Sequence, residues 1–182
     1  LTVRDDDTLL QARLTSGNDE VVIAARSGKA IRFNESNVRP MGRTASGVRG
    51  INIGDKDEVI GMVVFKDSTE TILVVSENGY GKRSLLEDYR ITSRGAKGVK
   101  TINITEKTGA LIAIKDVTDE NDLMIINKSG ITIRVAVADI RLAGRATQGV
   151  RLINIKEGDS IAAVCSVNKS EEKLPEDIDA NE

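Results

Sequence analysis

The sequence predicts an all-β protein made of propeller-like repeats of about 51 residues, roughly three of them followed by a closing segment. Three observations predict it. One basic-flanked phrase is written three times, as "SGVRGINI" at 46–53, "KGVKTINI" at 97–104 and "QGVRLINI" at 148–155, so Gly47, Gly98 and Gly149 stand 51 residues apart. Short runs rich in Val and Ile, punctuated by turn residues, have the length of strands. No stretch sustains a 3.6-residue apolar period, so helix content should be low.

Taken in chain order, the opening "LTVRDDDTLL" lines up with "INIGDKDEVI" at 51–60. The turn phrases "RSGKAIR", "ENGYGKR" and "KSGITIR" come next, with Gly28, Gly79 and Gly130 again 51 apart. Asn-Gly and Ser-Gly corners between apolar runs are hairpin signals. The strand runs "EVIGMVVF", "TILVVSE", "ITIRVAV" and "GVRGINI" bring the count to about four per unit, the composition of a propeller-like blade. One such small sheet has too little apolar surface to fold alone, so neighbouring units must cover each other. The repeats fall near 1–50, 51–101 and 102–152. "INIKEGDSIAAV" begins a further copy that supplies closing strands at 153–168. The chain opens within a strand-like phrase, which suggests a piece of a longer polypeptide.

The ending "KSEEKLPEDIDANE" at 169–182 carries six acids and two lysines and reads as a disordered acidic tail. Setting it aside turns the formal charge of −2 into a body with 24 basic and 22 acidic side chains. The tail either solubilises the chain or competes with an anionic ligand for a basic surface.

Composition narrows the chemistry. Of 182 residues 40% are hydrophobic, with two Phe, two Tyr and no Trp, so stacking of single-stranded bases has little to work with. There is no His, which removes the usual general base, and the single Cys165 sits in the apolar run "SIAAVCSV" with no imidazole to activate it. No catalytic residue, metal site or cofactor is expected. The acidic groups at 5–7, 55–57 and 119–122 fall at turns and lack the spacing of a calcium loop. "GYGKRS" places Arg83 where a phosphate loop needs Ser or Thr. No apolar stretch reaches the roughly 18 to 20 residues of a membrane span, and the lone Cys suits a reducing, cytoplasmic setting.

A basic lattice remains. Four positions per repeat are positive in every copy: Arg32, Arg39, Arg43 and Arg49; Arg83, Arg90, Arg94 and Lys100; Arg134, Arg141, Arg145 and Arg151. If the units are rotated copies about an axis, equivalent positions form a curved cationic stripe suited to a bent polyanion such as duplex DNA. The competing reading is that these arginines pair with the acids of the body and hold the units together.

Three stretches, "IRFNESNVRPMGRTASGVRGINI", "ENGYGKRSLLEDYRITSRGAKGV" and "GRATQGVRLINI", closely resemble the C-terminal domain of DNA gyrase A, in register over residues 1 to about 168. The resemblance implies a β-pinwheel, a propeller relative whose blades exchange a strand with a neighbour. It also implies non-specific wrapping of duplex DNA in support of ATP-dependent negative supercoiling, with gyrase B and the rest of gyrase A as partners. That family's heptapeptide QRRGGKG is absent; "TSRGAKG" at 92–98 comes nearest, and "MGRTASG" and "AGRATQG" keep only the Arg and the last Gly. Arg94 and Lys97 are therefore the first candidates for phosphate contact, followed by Arg43 and Arg145. The related domain of topoisomerase IV, or a protein-interaction scaffold with structural arginines, would share the repeat.

Overall fold

The computed structural model describes residues 1–66 and 70–169. Three antiparallel sheets follow one another along the chain. In the first, β1 (Glu20–Ala25) and β2 (Lys29–Asn34) form a hairpin, and β3 (Val59–Phe65) pairs with the other edge of β1. The second repeats this with β4 (Thr71–Ser76), β5 (Tyr80–Leu85) and β7 (Leu111–Val117), the third with β8 (Asn121–Asn127), β9 (Thr132–Ala136) and β11 (Ile161–Asn168). Each hairpin turns at a glycine with positive φ: Gly28 at 79°, Gly79 at 82° and Gly130 at 87°. These are the Asn-Gly and Ser-Gly corners expected from the sequence, at a position where a side chain would be strained. A single 3-10 turn follows each hairpin, at Glu35–Asn37, Leu86–Asp88 and Val137–Asp139, and no α-helix occurs among the described residues.

A fourth strand reaches the first two sheets from the following unit. β6 (Val99–Lys100) pairs with β2, setting Val99 opposite Ala30, and β10 (Val150–Arg151) pairs with β5, setting Val150 opposite Gly81. Units thus exchange a strand, and the second and third copies of the repeated phrase are the exchanged pieces. A Cβ on Gly98 would lie 2.5 Å from the Ala30 carbonyl oxygen, and one on Gly149 equally close to that of Gly81. Only glycine lets these backbones meet. The Ile-rich half of the phrase then docks on the hairpin: the Thr101 N–H donates to the Gly28 carbonyl and the Leu152 N–H to that of Gly79, both at 2.8 Å.

The sheets differ from the repeats counted from residue 1. The third strand of each sheet comes from the stretch that opens the next copy, and β11 completes the third sheet where a fourth copy was expected to begin. The third sheet has three strands among the described residues. Beyond Lys169 the acidic tail lies outside the described residues.

The period-2 pattern buries both faces of the middle sheet, and all six β4 residues are buried. Val22, Val63, Ile72, Val74, Tyr89, Ile102 and Leu111 belong to the cluster shared by the first two sheets. Leu73, Val75, Leu123, Ile125, Ile140 and Ile153 belong to the one shared by the second and third. Each such side chain contributes roughly 1.5 to 3 kcal/mol of burial, and most of it exists only because two units meet. Asp57, in the acidic group at 55–57, accepts from the Ser27 N–H and hydroxyl, and Asp159 accepts from the Ser129 hydroxyl, so both carboxylates brace hairpin turns.

Candidate nucleic-acid interface

After each 3-10 turn the chain leaves the sheet in a loop, 92–98 or 143–149, before entering the exchanged strand. Arg94 lies in the first loop and crosses to the preceding unit, where its Nε donates to the Asn37 carbonyl at 2.9 Å and its Nη1 to the Arg49 carbonyl at 3.1 Å. Arg145 repeats the arrangement one unit later, with Nε on the Asp88 carbonyl at 3.0 Å and Nη1 on the Lys100 carbonyl at 2.9 Å. Each arginine is thereby fastened to the backbone of a basic residue that the previous unit contributes. Arg94 and Arg145 are thus joined across the unit boundaries to the backbones of Arg49 and Lys100 in turn. Nη2 of Arg94 and of Arg145 has no partner among the described residues, so a guanidinium already fixed on one edge keeps donors for an anion.

The ion pairs support the same division of labour. Among the described residues, pairs within 4 Å involve only Arg26, Arg32, Arg83 and Arg134 on the basic side. Arg39, Arg43, Arg49, Arg90, Lys97, Lys100, Arg141 and Arg151 are exposed and outside that set. Lys29 and Lys100 face each other across the β2–β6 ladder. Like charges placed opposite one another destabilise a sheet, and a phosphate between them would reverse the sign.

One column of the lattice is corrected by the structure. The Arg32 side chain is 13% exposed, pairs with Glu20 and donates to the carbonyls of Leu86 and Tyr89. The Arg83 side chain is 8% exposed, pairs with Asp119 and donates to the Ile140 carbonyl at 2.7 Å. Both clamp a sheet onto the 3-10 turn of the next unit, so neither is available to DNA. Arg134, in the matching place, pairs with Asp122 at 2.6 Å. The structural reading therefore describes Arg32 and Arg83, whereas the Arg134 side chain, 45% exposed, pairs within its own hairpin.

Other residues passed unnoticed in the sequence. Tyr80 is buried, and its hydroxyl accepts from Nε and Nη2 of Arg151 at 3.2 and 2.7 Å. That hydrogen bond lowers the phenol pKa. The Arg151 guanidinium carbon lies 5.3 Å and the Lys107 ammonium 5.5 Å from the ring centroid, so one ring lies within cation–π range of two cations. Lys82 is fully buried, and desolvation pulls its pKa down to about 8. A signal existed: Lys82 occupies the place of Ile31 and Ile133 in the other two units. Tyr89, buried beside it with its hydroxyl on that of Thr101, is pushed up to about 12 by desolvation.

Comparison with known proteins follows the same partition. The family model described as "DNA gyrase C-terminal domain, beta-propeller" matches residues 19–66, 70–118 and 121–168, one match per sheet. The DNA gyrase A protein of Staphylococcus aureus strain MRSA252 is 46% identical over 178 residues, and that of strain NCTC 8325 is 47% identical over 173. Those alignments take in 97% and 94% of this chain and 20% of each relative, so the chain spans about a fifth of their length. The crystal structure of the C-terminal domain of DNA topoisomerase IV superposes with a TM-score of 0.86 at 23% identity, over 92% of this chain and 52% of that one. The DNA gyrase A C-terminal domain gives 0.83 at 24% identity, over 91% and 56%.

Proposed function

We propose that this chain, which belongs to the DNA gyrase C-terminal domain family, holds duplex DNA without sequence preference along the series Arg49, Arg94, Lys100, Arg145 and Arg151. The observation that carries the reading is the bonding of each loop arginine to the carbonyl of a basic residue in the preceding unit. That bonding supports one path for the cations of separate repeats, with the buried arginines holding the units together. Duplex DNA presents about one phosphate charge per 1.7 Å, so such a path gains affinity by releasing counterions and reads no bases. Arg43, in the matching loop of the first unit, and Lys97, Arg39, Arg90 and Arg141 extend the same positive surface.

Within the whole enzyme this chain would serve a type II topoisomerase by curving DNA against the rest of gyrase A, with gyrase B supplying nucleotide hydrolysis and other regions supplying strand cleavage. The setting is the bacterial cytoplasm. No helix among the described residues is long and apolar enough to cross a membrane. A salt titration of duplex binding tests the reading. With roughly five or six phosphates neutralised, log affinity should fall against log salt with a slope near −5. A slope near zero would leave a protein-interaction scaffold as the better account.

A further inference from the structure

The two loops that carry Arg94 and Arg145 are anchored by different chemistry. Under loop 92–98 the first sheet presents Ile31 and Phe33, and Ala96 packs against their cluster. Under loop 143–149 the matching positions of the second sheet are Lys82 and Ser84. The Lys82 ammonium donates to the Gly144 carbonyl at 2.6 Å, and the Ser84 hydroxyl donates to the Ala143 carbonyl at 2.8 Å. Lys82 is fully buried, and its partner across the ladder, Val74, belongs to the core between the first two sheets. A charge is thus held in an apolar interface with its tip on the loop that carries Arg145.

We propose that Lys82 is a positioning residue that pins loop 143–149 to the second sheet and so fixes Arg145 for the anion it meets. The mechanism is local. An ammonium gives a carbonyl oxygen a charge-assisted hydrogen bond, about twice as strong as a neutral one. Gly144 immediately precedes Arg145, whose own two hydrogen bonds need the loop in place. The charged and titratable groups that face Lys82 are Asp88 from the 3-10 turn, Arg145 from the loop and Arg141, which lines a cavity of about 240 Å³ beside it together with Thr147 and Gln148. The Tyr89 phenol is packed in the same core. Asp88 favours the charged form, while burial and Arg145 oppose it, and the balance brings deprotonation down to about pH 8.

The statement about Arg145 and DNA rests on the function proposed above, whereas the anchoring is tested without DNA. Amide exchange at neutral pH, expressed as protection relative to intrinsic rates, reads loops 143–149 and 92–98 side by side while Lys82 holds the Gly144 carbonyl. Lys82→Met, which keeps the length and removes the charge, should lower protection at 143–149 about tenfold, and Lys82→Ile, borrowing the residue of the other units, should do the same. In duplex binding at neutral pH, Lys82→Met should lose as much affinity as Arg145→Ala, and the double variant no more than either. Unchanged protection at 143–149 in a folded variant overturns the anchoring, and so does a loop 143–149 with no protection in the unsubstituted chain, even if neither variant folds. A Lys82-dependent loop in a chain that binds no duplex would retain the anchoring and refute the DNA reading instead.

Discussion

Replacing Gly149 by Ala tests whether the repeated glycine exists for strand exchange. Gly47, Gly98 and Gly149 share a left-handed backbone, with φ of 85°, 71° and 79°. Alanine at any of them costs about 1 to 2 kcal/mol for that conformation alone. The surroundings differ. At Gly149 the new Cβ would lie 2.5 Å from the Gly81 oxygen and 2.9 Å from its carbon, and at Gly98 it would meet Ala30 in the same way, whereas at Gly47 nothing lies within 4 Å. Carbon and oxygen need about 1 Å more than that, so β10 must lift from β5, taking with it its ladder bonds and the Leu152 N–H bond to Gly79. At about 1 kcal/mol for each bond lost, Gly149→Ala and Gly98→Ala should cost roughly 3 to 5 kcal/mol in total, against about 1 to 2 for Gly47→Ala. Urea unfolding followed by far-ultraviolet circular dichroism measures all three as shifts in midpoint at constant slope. Losses equal across the three variants would show that the glycines serve only their own turns and would refute strand exchange as the reason for the repeat.

Arg83→Ala removes a buried clamp whose partner Asp119 is itself 68% exposed, so stability should fall by about 2 to 3 kcal/mol while the salt slope of duplex binding stays unchanged. Arg49→Ala, at an exposed side chain outside the ion pairs, should do the opposite, lowering the salt slope by about 1 and weakening all sequences alike. For Lys82 the folded pKa of about 8 lies below its ordinary 10.5, so the unfolded chain binds more protons between those values. Stability should therefore rise as pH rises from 8 to 10.5, by up to roughly 3 kcal/mol, and Lys82→Ile should abolish that rise and be the more stable protein at pH 7. Deleting residues 170–182 should tighten duplex binding at low salt if the acids compete for the positive surface, and an unchanged affinity would retire that role for them.

Much of this was legible in the sequence because the repeat is written in the residues that make the joints. Gly98 and Gly149 mark where backbones touch, and the hairpin glycines mark the turns, so period and β-class followed from spacing. The phase of the sheets was hidden. β3, β7 and β11 read as ordinary apolar runs, and only three-dimensional pairing shows that each closes the sheet before it. The arginine columns looked alike because sequence cannot reveal which face of a strand meets the next unit. Arg32 and Arg83 point into a unit boundary and find the carbonyls of a 3-10 turn, while Arg94 and Arg145 leave from loops and reach back across the surface. Lys82 escaped notice for the converse reason: a lysine beside an arginine in a glycine-rich phrase suggests solvent, yet its strand is buried on both faces.

The central claim is that cations from successive units form a single path for one DNA backbone. A crystal structure of the chain bound to a duplex tests it most directly. The account predicts consecutive stretches of one phosphate backbone within hydrogen-bonding distance of Arg49, Arg94, Lys100, Arg145 and Arg151, in that order, with Arg32 and Arg83 still buried between units. A duplex seated on another face, or one touching these residues in no continuous order, would contradict it.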